Sequence, residues 1–188
     1  MVSGLRAAWW VWLLVACMPL AAREMPAQGS VEVAFSPADD PEALIVDVIG
    51  NAQTSLLMHA YVLTSRNIMR ALLRAHERGV RVEILADAKM NHRDRSKVIG
   101  ALLEEGVPVA FETAYAAAHN KVLIIDAGQE GCTVLTGSYN FTWSARNRNA
   151  ENVLVLRNNC SLVEVYRDNW QRHRAEATLI TQLPFEVD

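Results

Sequence analysis

The sequence predicts an α/β domain in which a mixed β-sheet is flanked by helices on both faces. Short apolar segments of strand length alternate with segments of helical periodicity from residue 31 to residue 111. Capping residues and glycines separate these segments, and neither a repeat nor an interior linker interrupts the chain. We therefore predict one domain over residues 31–181, which is long enough to bury a single core.

The first half of the domain is predicted as four strands with three helices between them. The predicted strands are residues 31–35, 55–63, 80–86 and 107–111. The first helix begins at Asp40, whose carboxylate can cap it, with Pro41 at the first helical position. Ser65 caps the second helix and Gly79 ends it, and the third helix covers residues 95–105.

The second half is predicted as three further strands and a final helix. The strands are residues 121–126, 132–138 and 152–156. A turn with two glycines, at residues 127–131, joins the first two of them. Residues 162–176 have helical spacing, and we expect this helix to pack back on the sheet.

The N-terminus is predicted to be an export signal over residues 1–22, followed by a linker over residues 23–30. Arg6 gives a positive start, an apolar run follows, and Leu20-Ala21-Ala22 is a plausible cleavage site. One alternative is an uncleaved anchor that extends through Leu20. Another is acylation at Cys17, because Leu14-Val15-Ala16-Cys17 resembles the lipobox of bacterial lipoproteins. All three alternatives predict a secreted, periplasmic or membrane-tethered domain.

Two cysteines, Cys132 and Cys160, remain for the mature domain. Two are too few for a metal site of the cysteine-rich kind. In an oxidising compartment they can form one disulfide, and two unpaired thiols are the alternative.

Polar residues interrupt the apolar strands of the second half at three places. The first cluster is His119-Asn120-Lys121, followed by an apolar strand that ends at Asp126. Side chains two apart on a strand share a face, so we expect His119 and Lys121 to point the same way. Asp126 has the opposite parity and lies at the far end of the strand, which suits a structural or supporting role.

The second and third clusters are Gly137-Ser138-x-Asn140 and Glu151-Asn152. Ser138 and Asn140 are also two residues apart, and Gly137 permits a close approach of the backbone. The three clusters together supply an imidazole, an ammonium group, a hydroxyl, an amide and a carboxylate. This inventory suits phosphoryl transfer, which needs a nucleophile and donors for the phosphate oxygens.

These ordered blocks resemble the signature of the phospholipase D superfamily. They are His119-x-Lys121 with Asp126, then Gly137-Ser138-x-Asn140-Phe141, then Glu151-Asn152. The upstream segments Phe35-Ser36-Pro37, 60–65 and 78–87 look typical of its small bacterial endonuclease branch, and the resemblance covers residues 31–175.

The resemblance implies a phospholipase D-like fold and a role for each motif residue. His119 would attack phosphorus and form a phosphohistidine intermediate. Lys121, Ser138 and Asn140 would bind the phosphate oxygens, and Glu151 would hydrogen-bond the imidazole. Asp126 matches the aspartate of the catalytic motif.

The chain carries one such motif, whereas the implied mechanism uses two histidines. A two-fold homodimer would bring two copies of His119 to one composite site. The resemblance implies neither a metal nor another cofactor, because Lys121 and neutral donors take the place of a cation.

Two basic stretches are candidate contacts to a nucleic-acid backbone, with ordinary surface charge as the alternative. They are Arg93, Arg95 and Lys97, and Arg146 with Arg148. The net charge of -3 makes any attraction to a polyanion depend on such local patches. Trp143 is predicted either to stack on a base or to pack in the core.

The other four histidines are expected to lie outside the site. His59 falls in a buried strand and is predicted to be a hydrogen-bonded core residue. His76, His92 and His173 are expected to be solvated, and their spacing in the sequence indicates no metal site.

The sequence therefore favours an enzyme that cleaves phosphodiester bonds, foremost a non-specific nuclease acting on DNA or RNA as a homodimer. Hydrolysis of phospholipids is the closest alternative, because the same residues can act on a lipid head group. The third possibility is a non-catalytic protein that binds nucleic acid or the cell envelope.

Overall fold

The computed structural model describes residues 22–92 and 97–183, which form eight strands and six helices. The strands are β1 (Ser30–Ser36), β2 (Ser55–Ala60), β3 (Arg81–Asp87), β4 (Val109–Glu112), β5 (Lys121–Ile125), β6 (Thr133–Gly137), β7 (Glu151–Arg157) and β8 (Thr178–Ile180). The helices are α1 (Pro41–Gly50), α2 (Arg66–Glu77), α3 (Ala88–Asn91), α4 (Lys97–Glu104), α5 (Trp143–Asn147) and α6 (Cys160–Glu176).

All eight strands belong to one mixed sheet, in the order β1-β7-β6-β5-β2-β3-β4-β8. Strands β2, β3 and β4 are parallel, and each of the other neighbouring pairs is antiparallel. Alternate side chains of β2 enter two different cores, one shared with α1, α2 and α4 and the other with α6. The predicted α/β class, with a mixed sheet and helices on both faces, is confirmed.

The helix starts follow the predicted capping residues. Asp40 accepts a hydrogen bond from the backbone N–H of Ala43 (3.2 Å), and Ser65 accepts one from that of Ile68 (3.3 Å). Both bonds satisfy amides that have no partner within the first turn of a helix. The predicted third helix corresponds to α4, and residues 95 and 96 of that prediction lie outside the described residues.

Three short features differ from the predicted elements. Strand β2 ends at Ala60 rather than Leu63, and Leu63 instead forms an isolated parallel bridge with Phe141. Helix α3 and strand β8 were not predicted, because segments of four and three residues are too short to show a periodicity. Asp87 caps α3 through a local contact with Met90, and β8 is defined by its tertiary pairing with β4.

One edge of the sheet gathers polar residues from five of its strands. Ser36, Asp87 and Glu112 end β1, β3 and β4 there. Lys121 and Glu151 begin β5 and β7 at the same edge, because these two strands run antiparallel to β2 and β1. The antiparallel topology thus brings together residues that are far apart in sequence.

Helix α6 covers the second face of the sheet and is fastened at its start and along its length. A disulfide joins Cys160, the first residue of α6, to Cys132 just before β6, with Cα atoms 5.5 Å apart. Further along, the Trp170 indole donates a hydrogen bond to the Met58 carbonyl (2.9 Å). None of the helices in the described part of the chain has the length and apolarity needed to cross a membrane.

We predict that Cys160→Ser lowers the free energy of unfolding by about 3 to 4 kcal/mol, because the disulfide constrains the unfolded chain. The loop it closes has a sequence separation of 28 residues. Denaturant unfolding of the oxidised protein and the variant measures the difference. A reductant should lower the free energy of unfolding of the wild type to that of the variant. Ser161→Ala, on the exposed side of α6, is the matched control. Equal stability of the oxidised wild type and the variant would contradict the prediction.

Candidate active site

His119 and Lys121 lie side by side where β5 begins, as the strand parity predicted. The Lys121 ammonium is 3.0 Å from His119 Nδ1 and donates a hydrogen bond to the His119 carbonyl (2.8 Å). The His119 side chain lies in an exposed segment, whereas Lys121 is only 4% exposed. The imidazole is therefore open to an incoming group, and the cation beside it is shielded from water.

The charge of Lys121 is poorly compensated. Burial lowers the pKa of Lys121, and the nearby negative charge of Glu151 acts in the opposite direction. No carboxylate of the described residues forms an ion pair with the ammonium group. A buried cation without a counterion attracts an anion, and a phosphodiester supplies one.

Tyr61 contacts both of these residues and was not predicted as a site residue. Its ring centroid is 4.3 Å from that of His119, and Lys121 Nζ lies 4.8 Å from the Tyr61 centroid. The aromatic ring attracts the ammonium group and limits the rotation of the imidazole. Tyr61 follows β2, and the backbone bond from its N–H to the Asn120 carbonyl (3.0 Å) brings it to the site.

Ser138 and Glu151 form a second polar group at the same edge of the sheet. The Ser138 hydroxyl donates to Glu151 Oε2 (2.6 Å) and accepts from the Asn152 backbone N–H (3.1 Å). Gly137 makes this arrangement possible, because a Cβ atom there would lie 2.2 Å from the Asn152 carbonyl oxygen. The close approach of β6 and β7 at Gly137 thus positions the Ser138 hydroxyl.

In the described chain Glu151 is hydrogen-bonded to residues other than His119, and the role implied by the family resemblance remains a prediction. One of its carboxylate oxygens accepts from Ser138 and the other from Asn149 (2.8 Å). The effect of Glu151 on the catalytic pair in this structure is electrostatic, through its influence on Lys121.

Asn140 lies in the loop after Gly137, between two buried aromatic residues. Tyr139 and Phe141 are 1% and 0% exposed, and their rings anchor the loop in the core. Asn140 Oδ1 is buried and has no hydrogen-bond partner among the described residues. The unpaired buried oxygen can accept a hydrogen bond from a ligand, whereas the amide nitrogen of Asn140 is the atom that can donate to a phosphate oxygen.

Asp126 makes the contacts of a structural residue, as its strand parity suggested, and a part in catalysis for the aspartate of the motif remains a prediction. It follows β5 at the end far from His119, with a backbone φ of 50°. Its carboxylate accepts bonds from the backbone N–H groups of Gln53 (2.9 Å), Thr54 (2.7 Å) and Ser55 (2.9 Å). Burial would raise the pKa of Asp126, but these hydrogen bonds outweigh it and lower the pKa.

Of the predicted basic contacts, the described residues are Lys97, Arg146 and Arg148. Arg146 is held by Asp40 (2.6 Å) and Glu42 (2.9 Å), so its charge is already compensated. Arg148 is exposed and lies 5.9 Å from the ring centroid of Trp143, which is itself 62% exposed. Core packing of Trp143 is therefore excluded. Lys97 is exposed at the start of α4, and Arg93 and Arg95 lie outside the described residues.

The remaining histidines are only partly as predicted. His59 is a buried residue that contacts Glu112, as expected, but His173 is bound to the same carboxylate (2.6 Å) rather than solvated. His59, Glu112 and His173 together form a cluster of possible metal ligands. Local spacing could not predict this cluster, because Glu112 lies 53 and 61 residues from its two partners.

Comparisons with known proteins agree with this chemistry. The family described as "Cardiolipin synthase, PLD-like domain" matches residues 45–174. A phospholipase D from Rickettsia bellii is 36% identical over 148 residues, which are 79% of this chain and 71% of that protein. A mitochondrial cardiolipin hydrolase from Xenopus laevis is 34% identical over 129 residues, 69% of this chain and 58% of that protein.

Solved structures show the same architecture. Nuc from Salmonella typhimurium, a phospholipase D family member, matches with a TM-score of 0.76 and 34% identity, covering 80% of this chain and 97% of that one. NucT from Helicobacter pylori matches in fold with a TM-score of 0.70 and 24% identity, covering 80% and 99%. Fold and site define a hydrolase of phosphodiester bonds. The chain belongs to the phospholipase D superfamily.

We predict that Asp126→Asn lowers the free energy of unfolding by about 2 to 3 kcal/mol at pH 7, because an amide cannot accept all of the backbone bonds. The folded-state pKa of Asp126 is lowered, so this contribution is present above about pH 4 and is lost as the pH falls below it. The variant and wild type should therefore approach each other in urea unfolding as the pH falls from about 4 through the lowered folded-state pKa.

The matched control is Asp168→Asn on α6, whose side chain is 56% exposed and which should change stability by less than about 0.5 kcal/mol. Because Asp126 lies at the far end of β5, folded Asp126→Asn should keep its hydrolase activity within a few-fold of wild type. A large loss of activity with unchanged stability would support the catalytic role.

Proposed function

We propose that this enzyme is a metal-independent, non-specific nuclease that cleaves DNA or RNA through a phosphohistidine intermediate. The observation that carries the proposal is the buried Lys121 ammonium, which has no carboxylate partner among the described residues and adjoins the accessible His119 imidazole. In this arrangement the protein itself supplies the positive charge that a bound phosphate needs. The similarity to Nuc supports nucleic acid as the substrate.

The proposed reaction has two displacements. A nitrogen of His119 attacks phosphorus and forms a P–N bond, while the P–O bond to the leaving group breaks and that oxygen receives a proton from an imidazolium. Water then attacks phosphorus, the P–N bond breaks, and the second imidazole takes the proton of the water. Lys121, Ser138 and Asn140 would bind the phosphate oxygens in both steps.

The second imidazole has to come from another copy of the chain. All five histidines are described, and no hydrogen bond or ring contact joins His119 to any of the other four. His59 and His173 are bound to Glu112, and His92 contacts the Ala88 carbonyl. An isologous homodimer that pairs the two exposed His119 side chains completes the mechanism.

Features of the surface support nucleic acid, with phospholipid as the second candidate. The exposed Trp143 ring, with the Arg148 guanidinium beside it, offers a stacking surface and a cation close to the Asn140 loop. The second candidate rests on the relatives named phospholipase D and cardiolipin hydrolase. Both substrates present the same phosphodiester to His119.

We further propose that the enzyme acts outside the cytoplasm. The predicted export signal and Cys17 lie outside the described residues. The Cys132–Cys160 disulfide supports export, because such bonds persist in oxidising compartments.

We expect His119→Asn to reduce cleavage of single- and double-stranded DNA, in excess EDTA at 25 °C, by about 1,000-fold or more, because the nucleophile is removed. Gel electrophoresis of the products measures the loss. His76→Asn, on the outer side of α2, is the matched control. Vesicles of phosphatidylcholine and cardiolipin are assayed in parallel. His119-dependent hydrolysis of lipid alone would select the second candidate, and no hydrolysis of either substrate would contradict both.

We expect a heterodimer of wild-type and His119→Asn chains to be about as inactive as the variant homodimer, because one composite site needs both imidazoles. Two different affinity tags allow the heterodimer to be isolated, and light scattering gives its mass. Half of the wild-type activity in the heterodimer would indicate independent sites. A fully active monomer would contradict the dimeric mechanism.

A further inference from the structure

We propose that His59, Glu112 and His173 form a structural binding site for a divalent transition metal of the zinc class. The three side chains come from β2, β4 and α6, and they meet on the sheet face that α6 covers. The proposal does not depend on the nuclease activity, since none of the three residues belongs to the hydrolytic site.

The three possible ligand groups already adjoin one another. One oxygen of the Glu112 carboxylate contacts His59 Nε2, and the other is 2.6 Å from His173 Nδ1. The two imidazole centroids are 5.0 Å apart, and the candidate ligand atoms all lie within 4.8 Å of one another. Side-chain movements of about 1 Å would bring three of these atoms to the bond lengths of about 2.0 to 2.2 Å that zinc requires.

The cluster is buried, so the negative charge of Glu112 needs a positive charge beside it. The side chains of His59 and Glu112 are each 2% exposed. A buried carboxylate needs a compensating cation, which is supplied either by protons on the imidazoles or by a metal that they bind in the neutral form.

The donor set selects the kind of metal. Two imidazole nitrogens and one carboxylate oxygen suit zinc and its transition-metal neighbours, whereas calcium and magnesium prefer sets of oxygen ligands. The His173 side chain is 16% exposed, which provides a path for the ion and for a water ligand at the fourth position. His59 and Glu112 are therefore buried, and the site is accessible to solvent at His173.

Neighbouring contacts hold His173 in place. The Tyr115 ring lies 5.0 Å from the His173 ring, tilted by 30°, and the Tyr115 hydroxyl donates to Glu176 (2.9 Å). Trp170 fixes the preceding turn of α6 through its bond to the Met58 carbonyl. A metal at His173 would tie the end of α6 to β2 and β4, at the opposite end from the disulfide.

The test uses untagged protein expressed from the full-length coding sequence, stripped with EDTA and then desalted. Calorimetric titration with zinc chloride should show one equivalent per chain with a Kd of about 1 μM or tighter. A saturating excess of zinc should raise the Tm by about 5 to 10 °C. Cobalt(II) should give the visible absorption bands of a tetrahedral site.

Two variants and two controls locate the metal. Glu112→Gln and His173→Gln should each weaken zinc binding by about 100-fold or more, whereas His76→Gln and His119→Asn should bind like wild type. His173→Gln decides the question if Glu112→Gln fails to fold by circular dichroism, because His173 is partly exposed. The absence of saturable binding, or binding that survives His173→Gln but is lost in His119→Asn, would overturn the proposal.

Discussion

The buried ammonium group of Lys121 is the charge around which the hydrolytic site is organised. Its removal from water is costly, and the groups in contact with it are the His119 ring and carbonyl and the face of Tyr61, while Glu151 acts on it from a greater distance. A carboxylate in contact with Lys121 would stabilise the free protein better. In the proposed mechanism such a carboxylate would occupy the position of the phosphate, so the absence of an ion pair at Lys121 in the described residues suits the binding of an anion.

Backbone geometry outside the hydrolytic site helps to position its side chains, at the far end of β5 and on β6. At the far end, the Asp126 carboxylate binds three successive backbone amides after α1 and so fixes β5 against the start of β2. On the neighbouring strand, Gly137 allows the backbone to pass close to Asn152, which sets the direction of Ser138. Neither residue needs to touch a substrate, yet each determines where a catalytic side chain lies.

The two faces of the sheet are covered by different helices, which are held in different ways. Helices α1, α2 and α4 bury most of the apolar side chains on one face and complete the larger core. On the other face, α6 is attached by the disulfide, by Trp170 and by the His173–Glu112–His59 cluster. Glu112 ends β4 at the same edge that carries the hydrolytic site. Fastening α6 therefore also fixes the base of the segment that leads to His119.

The sequence by itself determined the fold class, the main helix boundaries and the pairing of His119 with Lys121, because periodicity, caps and strand parity are local properties. Only the tertiary structure decided the roles of Tyr61, Arg146 and His173. Each of them depends on a partner from another element: His119 for Tyr61, Asp40 for Arg146 and Glu112 for His173. Strand order and helix packing determine the partners of a charged or aromatic side chain. The local spacing of residues in the sequence predicts neither of them.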